Sequence, residues 1–157
     1  MNERELFYQN TIQELIQDIN ASILVCGGGD FDKDIFEKLG YINVTISNLD
    51  SRLSEDRFKP FSWKYENAES LSYPDESFDY VVIHAAIHHT SSPHIVLTEM
   101  YRTAKIASIS FEARDSIVMK LFEKTGLTQT FEHAAVYFND CSFGGVNNTE
   151  IPNYVYR

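Results

Sequence analysis

The sequence predicts a doubly wound, mostly parallel α/β domain, and three observations predict it. Short apolar runs recur along the 157 residues and alternate with segments of helical spacing. The first of them, residues 22–26, is continuous rather than alternating, as expected for a strand covered on both faces. The first run stops at Gly27-Gly28-Gly29, the position where sheets of this kind turn their backbone toward a ligand.

Ile12, Leu15, Ile16 and Ile19 sit three to four residues apart and predict an amphipathic helix ahead of the first strand. Residues 22–26 are the first strand. Phe31, Ile35, Phe36 and Leu39 repeat the helical spacing, and Gly40 follows as a stop signal. Residues 41–47, rich in β-branched side chains, are the second strand. Residues 61–66 are a third, weaker one, and residues 78–83 a strong fourth. Pro93 opens a helix that carries Ile95, Val96, Met100, Tyr101 and Ala104. Residues 106–111 are a fifth strand, and residues 115–125 a helix ended by Gly126.

The rhythm fails after Gly126. Residues 133–137 fit a strand, and residues 139–157 read as loop with no closing hairpin, which fits a domain truncated at its C-terminus. The expected organisation is one domain over 1–157: an N-terminal helical segment at 1–20, a ligand-binding core at 21–126 and a variable segment at 127–157.

Composition narrows the partners. The net charge is −10 and Lys and Arg are scattered, which argues against nucleic acid or an anionic membrane surface. Two distant cysteines, Cys26 and Cys141, make no disulfide framework. The charged start, Met1-Asn2-Glu3-Arg4-Glu5, lacks the apolar core of a signal peptide. No apolar run approaches the ~20 residues that span a bilayer. The expectation is a cytoplasmic protein acting on a small molecule.

In a doubly wound sheet the ligand lies at the carboxyl ends of the strands. Asp50 follows the second strand about 20 residues after the glycines, where a carboxylate can accept both hydroxyl protons of a ribose. The most specific stretch is Asn67-Ala68-Glu69-Ser70-Leu71-Ser72-Tyr73-Pro74-Asp75-Glu76-Ser77-Phe78-Asp79. It resembles the "A-E-x-L-P-F-x-D-x-S-F-D" signature of the type 11 group of class I S-adenosylmethionine-dependent methyltransferases. Residues 81–89 look like that group's fourth strand and the helix after it. Val96-Leu97-Thr98-Glu99-Met100-Tyr101-Arg102 resembles its "E-x-x-R" helix. The resemblance covers residues 20–112 or so.

The resemblance implies a Rossmann-like fold and S-adenosylmethionine as cofactor. It implies that Gly27, Gly28 and Gly29 pack against the methionine moiety and that Asp50, with Leu49 beside it, holds the ribose. Asn67, Ala68 and Glu69 would flank the adenine, and His84 and Ala85 would line the methionine end. The chain departs from the family pattern at Val25, usually acidic, at Phe31, usually the third glycine, and at Asn67, commonly aspartate.

Methyl transfer is an in-line displacement that demands alignment and water exclusion more than a catalytic triad. His88 and His89 are the candidate bases, because a neutral imidazole takes a proton near neutral pH. His84, His88, His89 and His94 also raise a metal reading. His84 belongs to a strand end rather than a helix, and no cysteine pair accompanies the four, so no metal is expected. Two other functions remain open: a nicotinamide-dependent oxidoreductase, against which the incomplete G-x-G-x-x-G pattern counts, and a methyltransferase-like domain without catalysis.

Overall fold

The computed structural model describes residues 3–112 and 117–127. Its centre is a five-stranded, wholly parallel sheet of order β3-β2-β1-β4-β5. The strands are β1 (Ile23–Cys26), β2 (Val44–Asn48), β3 (Ser62–Tyr65), β4 (Phe78–His84) and β5 (Ala104–Phe111). The helices are α1 (Glu3–Leu15), α2 (Asp30–Lys38), the one-turn α3 (Glu55–Phe58), α4 (Pro93–Thr103) and α5 (Ile117–Lys124). A 3₁₀ turn spans Ile87–His89. The expected strand at 133–137, the tail at 139–157 and Cys141 lie outside the described residues. No helix among the described residues is long and apolar enough to cross a membrane.

β1 is central, and all four of its residues are buried. Its alternate side chains feed two cores. Ile23 and Val25 pack with Val44, Ile46 and Val82 under α1 and α2, where Tyr8, Ile12, Ile35 and Phe36 close the layer. Leu24 and Cys26 pack with Val81 and Ile83 under α4, where Val96 and Met100 close the other. Each fully buried aliphatic side chain of this kind contributes roughly 1.5–3 kcal/mol. Continuous apolar strands are thus explained by helices on both faces.

The first helix differs from the sequence reading. It begins at Glu3 and ends at Leu15, so Ile16 and Ile19 lie beyond it. The buried stripe is Tyr8, Ile12 and Ile16, at a spacing of four, while Leu15 and Ile19 are half-exposed. Just past the helix end, the Tyr41 hydroxyl donates to the carbonyl oxygen of Ile16, satisfying a group the helical ladder leaves free. The second strand also starts later than expected, at Val44, because Gly40 at φ +80° turns the backbone before it.

The acidic end of the signature works at the edge of the sheet remote from the glycine turn. Asp79 Oδ2 accepts from the Ser22 amide and from the Ser22 hydroxyl, both at 2.8 Å. The Asp79 amide donates back to Ser22 Oγ at 2.9 Å. These bonds fix β4 against β1 at their starts. Arg102 of α4 ties down the rest of the stretch. It donates to the carbonyl oxygens of Leu71 and Tyr73, and it pairs with Glu99 and Asp75. Glu99 in turn accepts from the Leu71 amide at 2.9 Å. The signature and the "E-x-x-R" helix are therefore one interlocked unit that holds the loop between β3 and β4.

Candidate cofactor and acceptor site

The carboxyl ends of all five strands line one edge of the sheet. Strand order reverses direction at the β1–β4 boundary, the usual place for a ligand in such a sheet. The glycine turn follows β1 there, and its three glycines differ in what they tolerate. Gly27 sits at φ +64°, and a Cβ on it would come within 2.6 Å of the Ala86 Cβ. A Cβ on Gly28 would meet the Ile46 Cγ2 at 2.8 Å and the Val25 Cγ1 at 2.9 Å. Those two glycines are demanded by packing within the chain. Gly29 is different: nothing lies within 4 Å of its Cβ position, so its backbone borders open space.

β2 is bound to this turn. The Gly28 amide donates to the Ser47 carbonyl, and Asn48 Nδ2 donates to the Gly28 carbonyl, both at 3.0 Å. Leu49 and Asp50 follow directly and are partly buried. The Asp50 carboxylate is held by Arg52 in a two-pronged pair, with Nε 2.7 Å from Oδ1 and Nη2 2.5 Å from Oδ2. That pair holds the Asp50 carboxyl below the usual carboxylate range, so it stays ionised.

Past β3, Asn67 Oδ1 accepts from the Glu69 amide at 2.9 Å, closing an Asx turn. Glu69 Oε1 accepts from the Ser92 amide, so the side chain ties this loop to the start of α4. Ala68 packs against the α4-side core. Asn67, Ala68 and Glu69 thus stand at the β3 end of the same edge, beside the glycine turn only through β2.

At the end of β4 the side chains converge. His84 stacks on Tyr8 with ring centroids 4.4 Å apart and on Phe31 at 5.1 Å. Arg4 Nε and Nη2 lie 3.3 and 3.2 Å from His84 Nε2. Arginine only donates, so Nε2 accepts and the ring hydrogen sits on Nδ1. Burial, and the Arg4 charge beside it, push the His84 pKa down to about 4. The ring is therefore neutral at cellular pH and serves as a hydrogen-bond acceptor. Ala85 follows at φ +50°, a left-handed conformation uncommon for a residue with a Cβ, and its amide donates to the Phe111 carbonyl at 2.7 Å.

Asp32 completes this cluster. It is 4% exposed, and its two oxygens have separate donors. The Tyr8 hydroxyl gives to Oδ1 and the Gly29 amide to Oδ2, each at 2.9 Å. Burial raises its pKa, and these two bonds oppose the rise. Asp32 stands three residues after Gly29, so its carboxylate caps the first turn of its own helix and fixes the last glycine of the turn. Phe31, at the place of a third glycine, does not enter the turn; it stacks on Tyr8 at 5.7 Å.

The two candidate bases sit in the 3₁₀ turn beyond Ala85, and the structure separates them. His88 is 7% exposed, and its Nδ1 lies 2.7 Å from Glu112 Oε2. The other Glu112 oxygen accepts from the Ile87 amide at 2.6 Å. His89 is partly buried beside it, with ring centroids 4.2 Å apart. His94 is exposed on the first turn of α4. Among the described residues, no three His, Cys, Asp or Glu side chains are grouped to hold a metal. Cys26 is wholly buried in β1, and burial pushes its thiol up to about 12.

Two cavities open on this edge. One of about 370 Å³ is bordered by Arg4, Phe31, Asp32, His84 and Ala85. A larger one of about 670 Å³ lies between α1 and the ends of β4 and β5, with His88 and Glu112 in its wall. Six residues of this site went unread in the sequence: Arg4, Tyr8, Asp32, Asn48, Arg52 and Glu112. Asp32 had a legible signal, the capping-box spacing from Gly29. Tyr8 and Glu112 had none, because their partners are 24 residues distant in each case.

Residues 24–109, more than half of the chain, match a family model described as a methyltransferase domain. No match is found among curated proteins. Among solved structures, a S-adenosylmethionine-dependent methyltransferase from Thermotoga maritima is 22% identical with a TM-score of 0.59, over 77% of this chain and 57% of that one. The PH0226 protein from Pyrococcus horikoshii OT3 is 19% identical with a TM-score of 0.61, over 82% of this chain and 62% of that one. The YcgJ protein from Bacillus subtilis is 18% identical with a TM-score of 0.59, over 77% and 56%. The chain spans less than two thirds of the length of each. These likenesses carry the fold; the family match carries the assignment. The chain belongs to the class I S-adenosylmethionine-dependent methyltransferase domains, in their type 11 group.

Proposed function

We infer that this chain carries methyl groups from S-adenosylmethionine to a small, uncharged acceptor inside the cell. The observation that carries the reading is the open flank of Gly29 at the switch point of the sheet. A side chain at Gly29 would fill that space, and glycine leaves it for a ligand's approach. The residues present fit the cofactor: the open flank of Gly29 leaves room for its approach, with Gly27 and Gly28 shaping the turn, and Leu49 and Asp50 would hold its ribose. Asn67, Ala68 and Glu69 would border its adenine, and His84 and Ala85 its methionine end.

When bound, the cofactor supplies a methyl carbon activated by a positive sulfur. The chain's own contribution is alignment, exclusion of water and, for an acidic acceptor, removal of a proton. α1 packs on the end of β4 through Tyr8 and Arg4, beside the transfer site. His88 or His89 takes the acceptor's proton. The net charge of −10 favours an uncharged acceptor over a polyanion.

A second reading is a domain that keeps the fold and has lost the cofactor. The Arg52 grip on Asp50 favours it, because a ribose must compete for that carboxylate. Calorimetric titration with S-adenosylmethionine and S-adenosylhomocysteine, with NAD as control, separates the readings. The expected result is micromolar binding of the first two and none of NAD. Asp50→Ala should remove that binding. A folded protein that binds neither sulfur nucleoside would establish the second reading.

A further inference from the structure

The cavity of about 370 Å³ beside the glycine turn carries one charge of each sign in its wall. Its border is Arg4 from α1, Phe31 and Asp32 from α2, and His84 and Ala85 at the end of β4. We propose that it takes a zwitterionic α-amino acid group, with Arg4 pairing the carboxylate and Asp32 the ammonium, and that these two residues select a cofactor bearing that group over a plain nucleoside. Selection of a cofactor rests on the methyl-transfer reading; recognition of the amino acid group stands without it.

The two charges stand on opposite nitrogens of the His84 ring. Arg4 Nε and Nη2 lie 3.3 and 3.2 Å from His84 Nε2, and Asp32 Oδ1 lies 3.8 Å from His84 Nδ1. His84 is held neutral, with its pKa at about 4, so the ring cancels neither charge. Among the described residues, neither Arg4 nor Asp32 is ion-paired with a charged side chain; the Arg4 guanidinium stands instead over Phe31, 5.8 Å from the ring centroid. A buried carboxylate without a countercharge is costly, and burial raises the Asp32 pKa accordingly. An ammonium beside it would hold it ionised.

Both groups keep bonding capacity. The Tyr8 hydroxyl and the Gly29 amide each occupy one site on an Asp32 oxygen, and a carboxylate oxygen accepts a second donor. Arg4 Nη1 has no hydrogen-bond partner among the described residues, so it can meet a carboxylate alongside Nη2. A ligand with a carboxylate alone would leave Asp32 uncompensated, and one with an ammonium alone would stand beside the Arg4 charge. A group with both charges on one carbon answers both, and the stem bearing it can pack on the Phe31 ring and the Ala85 methyl. Asp32 is bonded to the Gly29 amide, so the cavity adjoins the open flank of the glycine turn.

Calorimetry with a graded set of ligands tests this without catalysis. S-adenosylhomocysteine carries the whole group, its decarboxylated analogue lacks the carboxylate, methylthioadenosine lacks both charges, and L-methionine lacks the nucleoside. Wild-type protein should bind S-adenosylhomocysteine about tenfold or more tighter than methylthioadenosine, the worth of a charge-assisted pair. Arg4→Gln keeps a donor for His84 and removes the charge. It should weaken S-adenosylhomocysteine about tenfold without weakening the decarboxylated analogue. Asp32→Asn should weaken both and leave methylthioadenosine unchanged. Equal wild-type affinity for S-adenosylhomocysteine and methylthioadenosine would overturn the proposal and leave the cofactor reading standing. So would a loss in Arg4→Gln that is the same for S-adenosylhomocysteine and its decarboxylated analogue. Binding of L-methionine by a protein that binds no nucleoside would sink the cofactor reading and leave the cavity standing as a site for a free amino acid. Binding of neither overturns both. Should Asp32→Asn fail to fold, the Arg4→Gln comparison decides alone, because Arg4 is exposed on the first turn of α1.

Discussion

Tyr8→Phe removes one oxygen and nothing else that packs. The ring keeps its stacks on His84 and Phe31 and its edge contact with Phe111, whose centroid is 4.7 Å away. The lost hydroxyl donates to Asp32 Oδ1 at 2.9 Å, between two residues 1% and 4% exposed. Where the carboxylate is ionised, a hydrogen bond to it is worth roughly 1.5–3 kcal/mol, because water cannot replace the donor. At roughly 2–4 °C per kcal/mol for a chain of this size, melting should fall by several degrees at pH 7.

The pH dependence follows from the sign of the Asp32 shift. Burial raises its folded-state pKa, and the Gly29 and Tyr8 bonds oppose the rise. A raised acid pKa means the folded state is favoured below the unfolded value of about 3.9 and loses that advantage as pH rises through the folded value. Removing the Tyr8 hydroxyl raises the folded pKa further, so the penalty grows with pH. Near pH 4 the mutation should cost only about 1 kcal/mol, the worth of a neutral hydrogen bond. Urea denaturation at pH 4 and pH 7 measures both. Equal losses at the two pH values, or no loss at pH 7, would refute the account of Asp32 as a buried carboxylate held by Tyr8.

Three further outcomes follow from the same geometry. Histidine NMR should show His84 neutral down to about pH 4, and Arg4→Gln should raise its pKa by removing the neighbouring charge. Because the folded pKa is lowered, the stability that His84 contributes is present above about 6.5 and should be lost as pH falls toward 4. Gly28→Ala should destabilise by about 1–3 kcal/mol through overpacking against Ile46 and Val25. Gly29→Ala, with open space at its Cβ, should melt like wild type yet weaken S-adenosylhomocysteine binding in calorimetry. Arg102→Ala should lower stability and speed hydrogen exchange at the Leu71 amide, since Glu99 loses the partner that orients it.

The fold was legible because its determinants are local. Apolar runs, helical spacing and glycine stops each reside in a few consecutive residues, and all five strands fall on the runs that predict them, with ends shifted by one to three residues. The helix ahead of β1 lies earlier than its apolar spacing put it, and the carbonyl just past its end is satisfied from a distance, by Tyr41, 25 residues away from Ile16. The same division runs through the site. Gly27, Gly28, Gly29, Asp50, His84 and Ala85 follow strands in the sequence, so a parallel sheet necessarily brings them to one edge.

Tertiary structure decided which of those groups stand together and in what chemical state. The sequence by itself could not show that His88 meets Glu112, 24 residues away across the β4–β5 pair. Nor could it foresee that Asp32 and Tyr8 join, or that Arg4 and burial keep His84 neutral. Hydrogen-bond partners and desolvation depend on distances between elements, and only the order β3-β2-β1-β4-β5 sets those distances. The amino-acid sequence fixes the periodicity of each element; the packing of the elements fixes the protonation, tautomer and reach of the side chains at their ends.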